Sequence, residues 1–189
     1  MEMFGREKRD LLRSRVKEAR DEQQKTAEQF KDALTRLREL YGSSGTDLEK
    51  MYDRLKSEYD SAVTRASSVR TRIDKMETVA RDLFKEWDKE IDLIQSANLK
   101  SDSRSKLRDT QDKFAALDSS MRRAEASLQP VLNQFRDQTL YLKHNLNAQA
   151  LGTLRNEAQD IEREVQRLLQ DMNASIAQAD SFIKGMLKP

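Results

Sequence analysis

The residue in this chain best suited to acid–base or metal chemistry is its one histidine, His144, set among a large population of carboxylates and cations. A lone imidazole titrates near neutrality and can act as a general base or a metal ligand. Its neighbours argue against both. Ferritin-like bundles hold two metals through inward-facing Glu and Glu-x-x-His ligands, whereas the residue three places before His144 is Tyr141. The chain has no cysteine, which excludes disulfides, thiolate nucleophiles and Cys-ligated zinc or iron–sulfur clusters. A Ser-His-Asp arrangement is formally available, but no strained nucleophile turn flanks His144 and no glycine-rich phosphate loop occurs. The expectation is a protein that is not an enzyme, uses no cofactor and binds no metal, with His144 at the surface or in a turn.

Charge offers a different chemistry. Lys and Arg number 35 against 33 Asp and Glu, so the overall basic charge of a dedicated nucleic-acid binder is absent and no nucleic-acid partner is expected. Local clusters do occur. Residues 6–20 carry seven basic side chains against three acidic ones, and residues 100–108 carry four against one. In an up-down-up-down arrangement both clusters, with Lys184 and Lys188, fall at one end of the molecule. Arg6, Arg9, Arg13, Lys100, Arg104 and Arg108 are the candidate residues of a basic end that rests on an anionic membrane surface, where each basic group contributes about 1 kcal/mol. Glu86, Asp88, Glu90 and Asp92 share that end and dilute it, and the plainer alternative is a solvated face of mixed charge.

These groups must be positioned by helices. Gly numbers 5 and Pro 2, and the remainder is rich in strong helix formers. Helices are expected at about 5–41, 47–97, 103–145 and 148–187. Turns are read at Gly42–Asp47, where Thr46 or Asp47 caps the next helix, at Asn98–Ser103, and at His144–Asn147, where the lack of Gly and Pro leaves a continuous helix as the alternative. Each segment places apolar residues at alternating spacings of four and three. The second reads Leu48, Tyr52, Leu55, Tyr59, Ala62, Ala66, Val69, Ile73, Met76, Ala80, Leu83 and Trp87. The third runs from Leu107 through Phe114, Leu117, Met121, Leu128, Val131 and Phe135 to Leu142, with Thr110 and Gln138 as polar members. The fourth runs from Leu151 through Ile161, Val165, Leu168 and Met172 to Met186. The first is weaker, with Gln23 and Thr26 inside the stripe.

A seven-residue repeat drifts against the 3.6-residue turn, so helices that share it wind left-handedly around one another, and short connections make neighbours antiparallel. The predicted fold is all-α, an elongated antiparallel four-helix coiled-coil bundle forming a single domain over 1–189. Its second helix should be about 75 Å long and its first about 55 Å, leaving the helix 2–3 hairpin to project beyond the first helix. Pro130 removes a backbone donor and should kink the third helix near Leu128 while leaving it continuous. After Trp87 the stripe slips, because the next position would be Glu90 while the apolar residues are Ile91 and Ile94. The repeat fits a monomer and a homodimer equally.

The run Met121-Arg122-Arg123-Ala124-Glu125-Ala126-Ser127-Leu128, with Pro130-Val131-Leu132 and the stretch Phe135 to Ala150, resembles the bacterial domain-of-unknown-function family numbered two-nine-five-nine. The resemblance extends from Lys8-Arg9-Asp10 through Phe84-Lys85-Glu86-Trp87 to the last helix. It implies an envelope protein of Gram-negative bacteria, with a leader and often a lipid-attachment cysteine upstream of the helical part, and no catalytic residue. Localisation is therefore expected in the periplasm or envelope, membrane-anchored in the native form, with the helical part itself soluble. Tyr141, Lys143, His144, Asn145, Asn147 and Gln149 form an amide-rich tip that is the candidate site for a protein partner of unknown identity. The plainer reading of the tip is a tight helix hairpin in which Asn147 caps the fourth helix.

Overall fold

The computed structural model describes residues 2–42 and 47–187, and the side chains of 6–42 and 47–186. Five helices follow one another: α1 (Glu2–Gly42), α2 (Leu48–Asp92), α3 (Ala97–Ala126), α4 (Leu128–His144) and α5 (Ala148–Leu187). Among the described residues there is no strand, and no helix is long and apolar enough to cross a membrane. Since α3 and α4 are separated by Ser127 alone, the four expected segments are present, the third of them interrupted.

Local chemistry accounts for most helix ends. Of the first expected turn, residues 43–46 lie outside the described residues, but Asp47 caps α2 by accepting a hydrogen bond from the Glu49 N–H at 3.0 Å. The second turn falls earlier than expected. The second helix stops at Asp92 and α3 starts at Ala97, where the Ser96 hydroxyl accepts from the Leu99 N–H at 3.4 Å. Ser101, Asp102 and Ser103, expected in the turn, lie inside α3. The slip of the apolar stripe after Trp87 marked this end better than the polar residues did, because α2 ends one residue after the fully buried Ile91. The second helix is consequently 45 residues long, about 68 Å rather than 75 Å. The first is longer than expected at 41 residues, and Lys8 meets Glu86 at 2.9 Å. The α2–α3 hairpin therefore does not project beyond α1 as the sequence suggested.

The interruption at Ser127 has a defined cause. Pro130 has no N–H to offer the carbonyl four residues back, Ala126, so the ladder breaks there. The Ser127 N–H bonds the Arg123 carbonyl at 3.1 Å, and its hydroxyl has two acceptors within reach for its one proton, Asp171 of α5 and the same Arg123 carbonyl at 3.1 Å. The apolar stripe keeps its phase across the break, since Ala124, Leu128, Val131 and Phe135 are all buried. Thus α4 carries on the packing of α3 against α2 and α5.

One buried apolar cluster draws side chains from all five helices. Nearly every position of the predicted stripes belongs to it or packs against it, including Leu12, Val16, Phe30, Leu55, Ile73, Met121, Phe135, Val165 and Met172. No charged side chain is among the buried residues described. The first helix lies against α2 and α5, and α3 with α4 lies against the same two helices on the other side. Cross-helix pairs run in opposite numerical order. Glu22 meets Arg65 and Arg36 meets Glu58 between α1 and α2, while Arg20 meets Asp180 and Arg38 meets Glu162 between α1 and α5.

Two polar groups join helices across the diagonal of the core. Gln23, fully buried on α1, donates to the Met121 carbonyl of α3 at 3.4 Å and accepts from the Ser175 hydroxyl of α5. Tyr41, at the other end of α1, donates its hydroxyl to Gln138 of α4. Removing one partner of a buried pair leaves the other unsatisfied, which costs about 1–3 kcal/mol. Gln23→Ala is expected to lower the unfolding free energy in urea by that amount. Met121→Ala should lower it by about 2–5 kcal/mol through the cavity it opens, while Val63→Ala, on an exposed side of α2, should change it by less than about 0.5 kcal/mol.

Candidate functional site

At one end of the molecule the chain passes from α4 to α5 through a tight turn built by asparagines. The Asn145 N–H bonds the Leu142 carbonyl at 3.2 Å and its side-chain amide donates to the Tyr141 carbonyl at 2.9 Å. The Asn147 side chain accepts from the Ala150 N–H at 2.9 Å and so caps α5. Beneath the turn, Leu142 and Ala150 are buried, and Arg155 donates to the Tyr41 carbonyl in the last turn of α1, satisfying a group that the helix itself leaves open. Burial pushes the Tyr41 hydroxyl far above the ordinary tyrosine range.

The candidate tip residues Tyr141, Lys143, His144, Asn147 and Gln149 are exposed, and Asn145 is half-buried. Two apolar neighbours that the sequence reading passed over join them: Leu140 is 49% and Leu146 45% exposed, beside Tyr141 at 36%. Leu140 could have been found from periodicity. It lies two residues from both Gln138 and Leu142, which face the core, and two residues of helix turn a side chain by about 200°, to the far face.

At the opposite end the basic candidates do not form one patch. Arg6, Arg9, Arg104 and Arg108 are exposed, with Arg13 and Lys100 half-buried. Arg13 pairs with Asp10 at 3.3 Å and Arg104 with Asp92 at 2.9 Å. Arg6, Arg9, Lys100 and Arg108 have no ion-pair partner among the described residues. Arg104 and Arg108 share a shallow groove between α2 and α3 with Arg81, Lys85 and Asp88, whereas Arg9 lines a separate cleft. Leu93 and Leu99, flanking the α2–α3 turn, are 71% and 64% exposed. The sequence reading did not single them out.

Between the two ends, on the side of the molecule, carboxylates gather around a guanidinium. Arg122 of α3 donates to Asp74 and Glu125 at 2.6 Å and to Glu77, and Arg70 of α2 reaches Glu125 at 2.9 Å. Burial alone would lower the Arg122 pKa, but the three carboxylates outweigh it and hold the group above its ordinary value. Asp118, one turn earlier on α3, has one oxygen buried without a hydrogen-bond partner. Burial first, then the charge and hydrogen bonding of Glu77, raise its pKa to about 6, against a smaller downward pull from Arg122. Among the described residues no group of three His, Asp or Glu side chains is disposed to hold a metal.

The Asp118 carboxyl binds its proton more tightly in the folded chain than in the unfolded one. Between the ordinary aspartate pKa and about 6, its contribution to stability therefore falls as pH rises. Asp118→Asn is expected to raise the melting temperature at pH 7 and to flatten its pH dependence between pH 4 and 6. Identical pH profiles for the two proteins would contradict this.

The geometry thus offers two ends with exposed apolar groups and a side held by ion pairs. Neither a curated protein nor a solved structure matches the chain. One family does, over residues 1–186, and its description reads "Protein of unknown function (DUF2959)". With nearly its whole length matched, the chain belongs to the DUF2959 family of proteins of unknown function.

Proposed function

We propose that the chain is a non-enzymatic helical rod of the bacterial envelope that holds a protein partner at the tip between α4 and α5. The reading includes an antiparallel up-down-up-down coiled-coil bundle, which the opposite numerical order of the paired residues on α1 and α2, and on α1 and α5, supports. The envelope location rests on the family resemblance alone. The observation that carries the partner site is the exposure of Leu140, Tyr141 and Leu146 together on a tip whose backbone is tied by Asn145 and Asn147. A rigid turn that presents aromatic and aliphatic side chains is suited to anchoring in a partner's pocket with little ordering cost.

A photo-crosslinking residue at position 141 should capture a discrete partner in cells, while the same residue at position 63 on the side of the rod should not. Leu140→Glu with Leu146→Glu should weaken capture at least tenfold without changing the melting temperature by more than a few degrees. Equal capture from positions 141 and 63 would count against the tip.

A second reading is a peripheral membrane protein that binds anionic lipid through its other end. It is favoured by the exposed Leu93 and Leu99 beside Lys100 and by the cationic groove of Arg81, Lys85, Arg104 and Arg108. Sedimentation with vesicles containing anionic phospholipid should then fall as salt rises. It should be lost when Arg9, Arg13, Arg104 and Arg108 become Glu. Binding indifferent to both changes would eliminate this reading.

A further inference from the structure

A cleft of about 900 Å³ opens at the end of the molecule where α1 begins and α5 finishes. Its walls come from α1, α2, α3 and α5, so it reaches between α3 and α5 toward the helices behind them. The floor is apolar, formed by Leu83, Trp87, Phe182 and Met186. The Trp87 indole is fixed by donating its N–H to the Ser103 hydroxyl at 3.0 Å. Four cations stand around the opening, Arg9, Lys106, Lys113 and Lys184, with Asp109 the one carboxylate among the lining residues. Asp109 is taken up by Lys113 at 2.9 Å and Lys106 by Asp102 at 2.8 Å. Arg9 and Lys184 have no ion-pair partner among the described residues.

The cleft has a sequence cause. The apolar stripe of α2 slips after Trp87, and the facing positions on α3 and α5 include Ala116, Ser181 and Gly185, too small to fill the gap. A Cβ added at Gly185 would meet nothing within 4 Å. Packed helices have axes about 8–10 Å apart, so a slot between two of them is too narrow for another helix, itself about 10–12 Å across. A cleft of this volume has room for one extended hydrocarbon chain. The volume lies in the range of small-molecule sites, roughly 300–1,000 Å³.

We propose that this cleft binds a single-chain anionic amphiphile, a long-chain carboxylate, with its tail along Trp87 and Phe182 and its headgroup between Arg9 and Lys184. The site is distinct from the α4–α5 tip, so either can fail alone.

Trp87 is the only tryptophan and lies in the cleft, so its fluorescence reports occupancy directly. Titration of the full chain with dodecanoate, kept below micelle-forming concentration, should give a saturable emission shift, with matching heat in calorimetry. Each methylene buried strengthens binding about fourfold, so octanoate, four methylenes shorter, should bind roughly 250-fold more weakly. Dodecyl maltoside, with the same tail and a neutral head, should bind at least tenfold more weakly than dodecanoate. Gly185→Leu fills the slot from a position with free space. It should abolish the response while circular dichroism and melting temperature stay unchanged. Arg9→Glu with Lys184→Glu should weaken dodecanoate binding at least tenfold and leave dodecyl maltoside unaffected. The proposal is overturned by a non-saturating response, by equal binding to Gly185→Leu, by equal binding of the neutral amphiphile, or by a response to anionic vesicles alone.

Discussion

Each helix of this molecule carries its apolar residues at alternating spacings of three and four, and such a stripe is buried only by neighbours that share its period. A helix alone would leave side chains such as Leu117, Ile73 and Leu168 in water, at about 1.5–3 kcal/mol apiece. In the bundle all three are fully buried. Because the stripes hold no charged residue, the described carboxylates and cations are pushed to the outside or to the seams between helices. Side-surface pairs such as Arg36–Glu58 and Arg20–Asp180 follow from that exclusion, and exposed pairs of this kind contribute little individually.

An apolar stripe repeated every seven residues can slide by one repeat at modest cost, so something else must set the axial register. Polar groups placed in the core do this, since a slip would leave them unpaired. Gln23 joins α1 to Met121 and Ser175, and Tyr41 joins it to Gln138. The offsets between α1 and its diagonal partner are 98 and 97 residues at these two points, so both pin one register. Ser127 serves the third segment in a related way. At the break caused by Pro130, the Ser127 hydroxyl reaches Asp171 on α5.

What distinguishes the ends from the middle is the loss of neighbours. Along the sides, each of the four segments, α3 and α4 counting as one, has two others against it and a largely charged exterior. At the α4–α5 turn and at the α2–α3 turn the stripes run out, and Leu140, Leu146, Leu93 and Leu99 stand in solvent. The cleft beside Trp87 arises in the same manner, where the stripe slips and small residues leave the core unfilled. Features suited to binding therefore collect where the packing rule stops being satisfied. Asp118 is the exception on the side of the molecule, an acid held against Glu77 by its helix position.

The all-helical fold, the four segments and almost the whole core were legible in the residue order. Seven-residue periodicity is a local property, repeated often enough along each segment to survive a few polar interruptions such as Gln23 and Gln138. The Asn147 cap and the exposure of His144 could be read in the same way, because a cap depends on a few adjacent residues. Other features depended on which atoms meet across helices. The end of α2 at Asp92 and the lack of an overhang follow from the packing of Ile91 and from Lys8 meeting Glu86. The division of the basic residues between the groove of Arg104 and Arg108 and the cleft of Arg9 is likewise invisible along the chain, because it depends on which face of each helix turns outward. Sequence alone thus determined what must be buried. Only the packed bundle decided where burial fails, since an unfilled cleft or an exposed leucine is a relation among helices far apart in the chain.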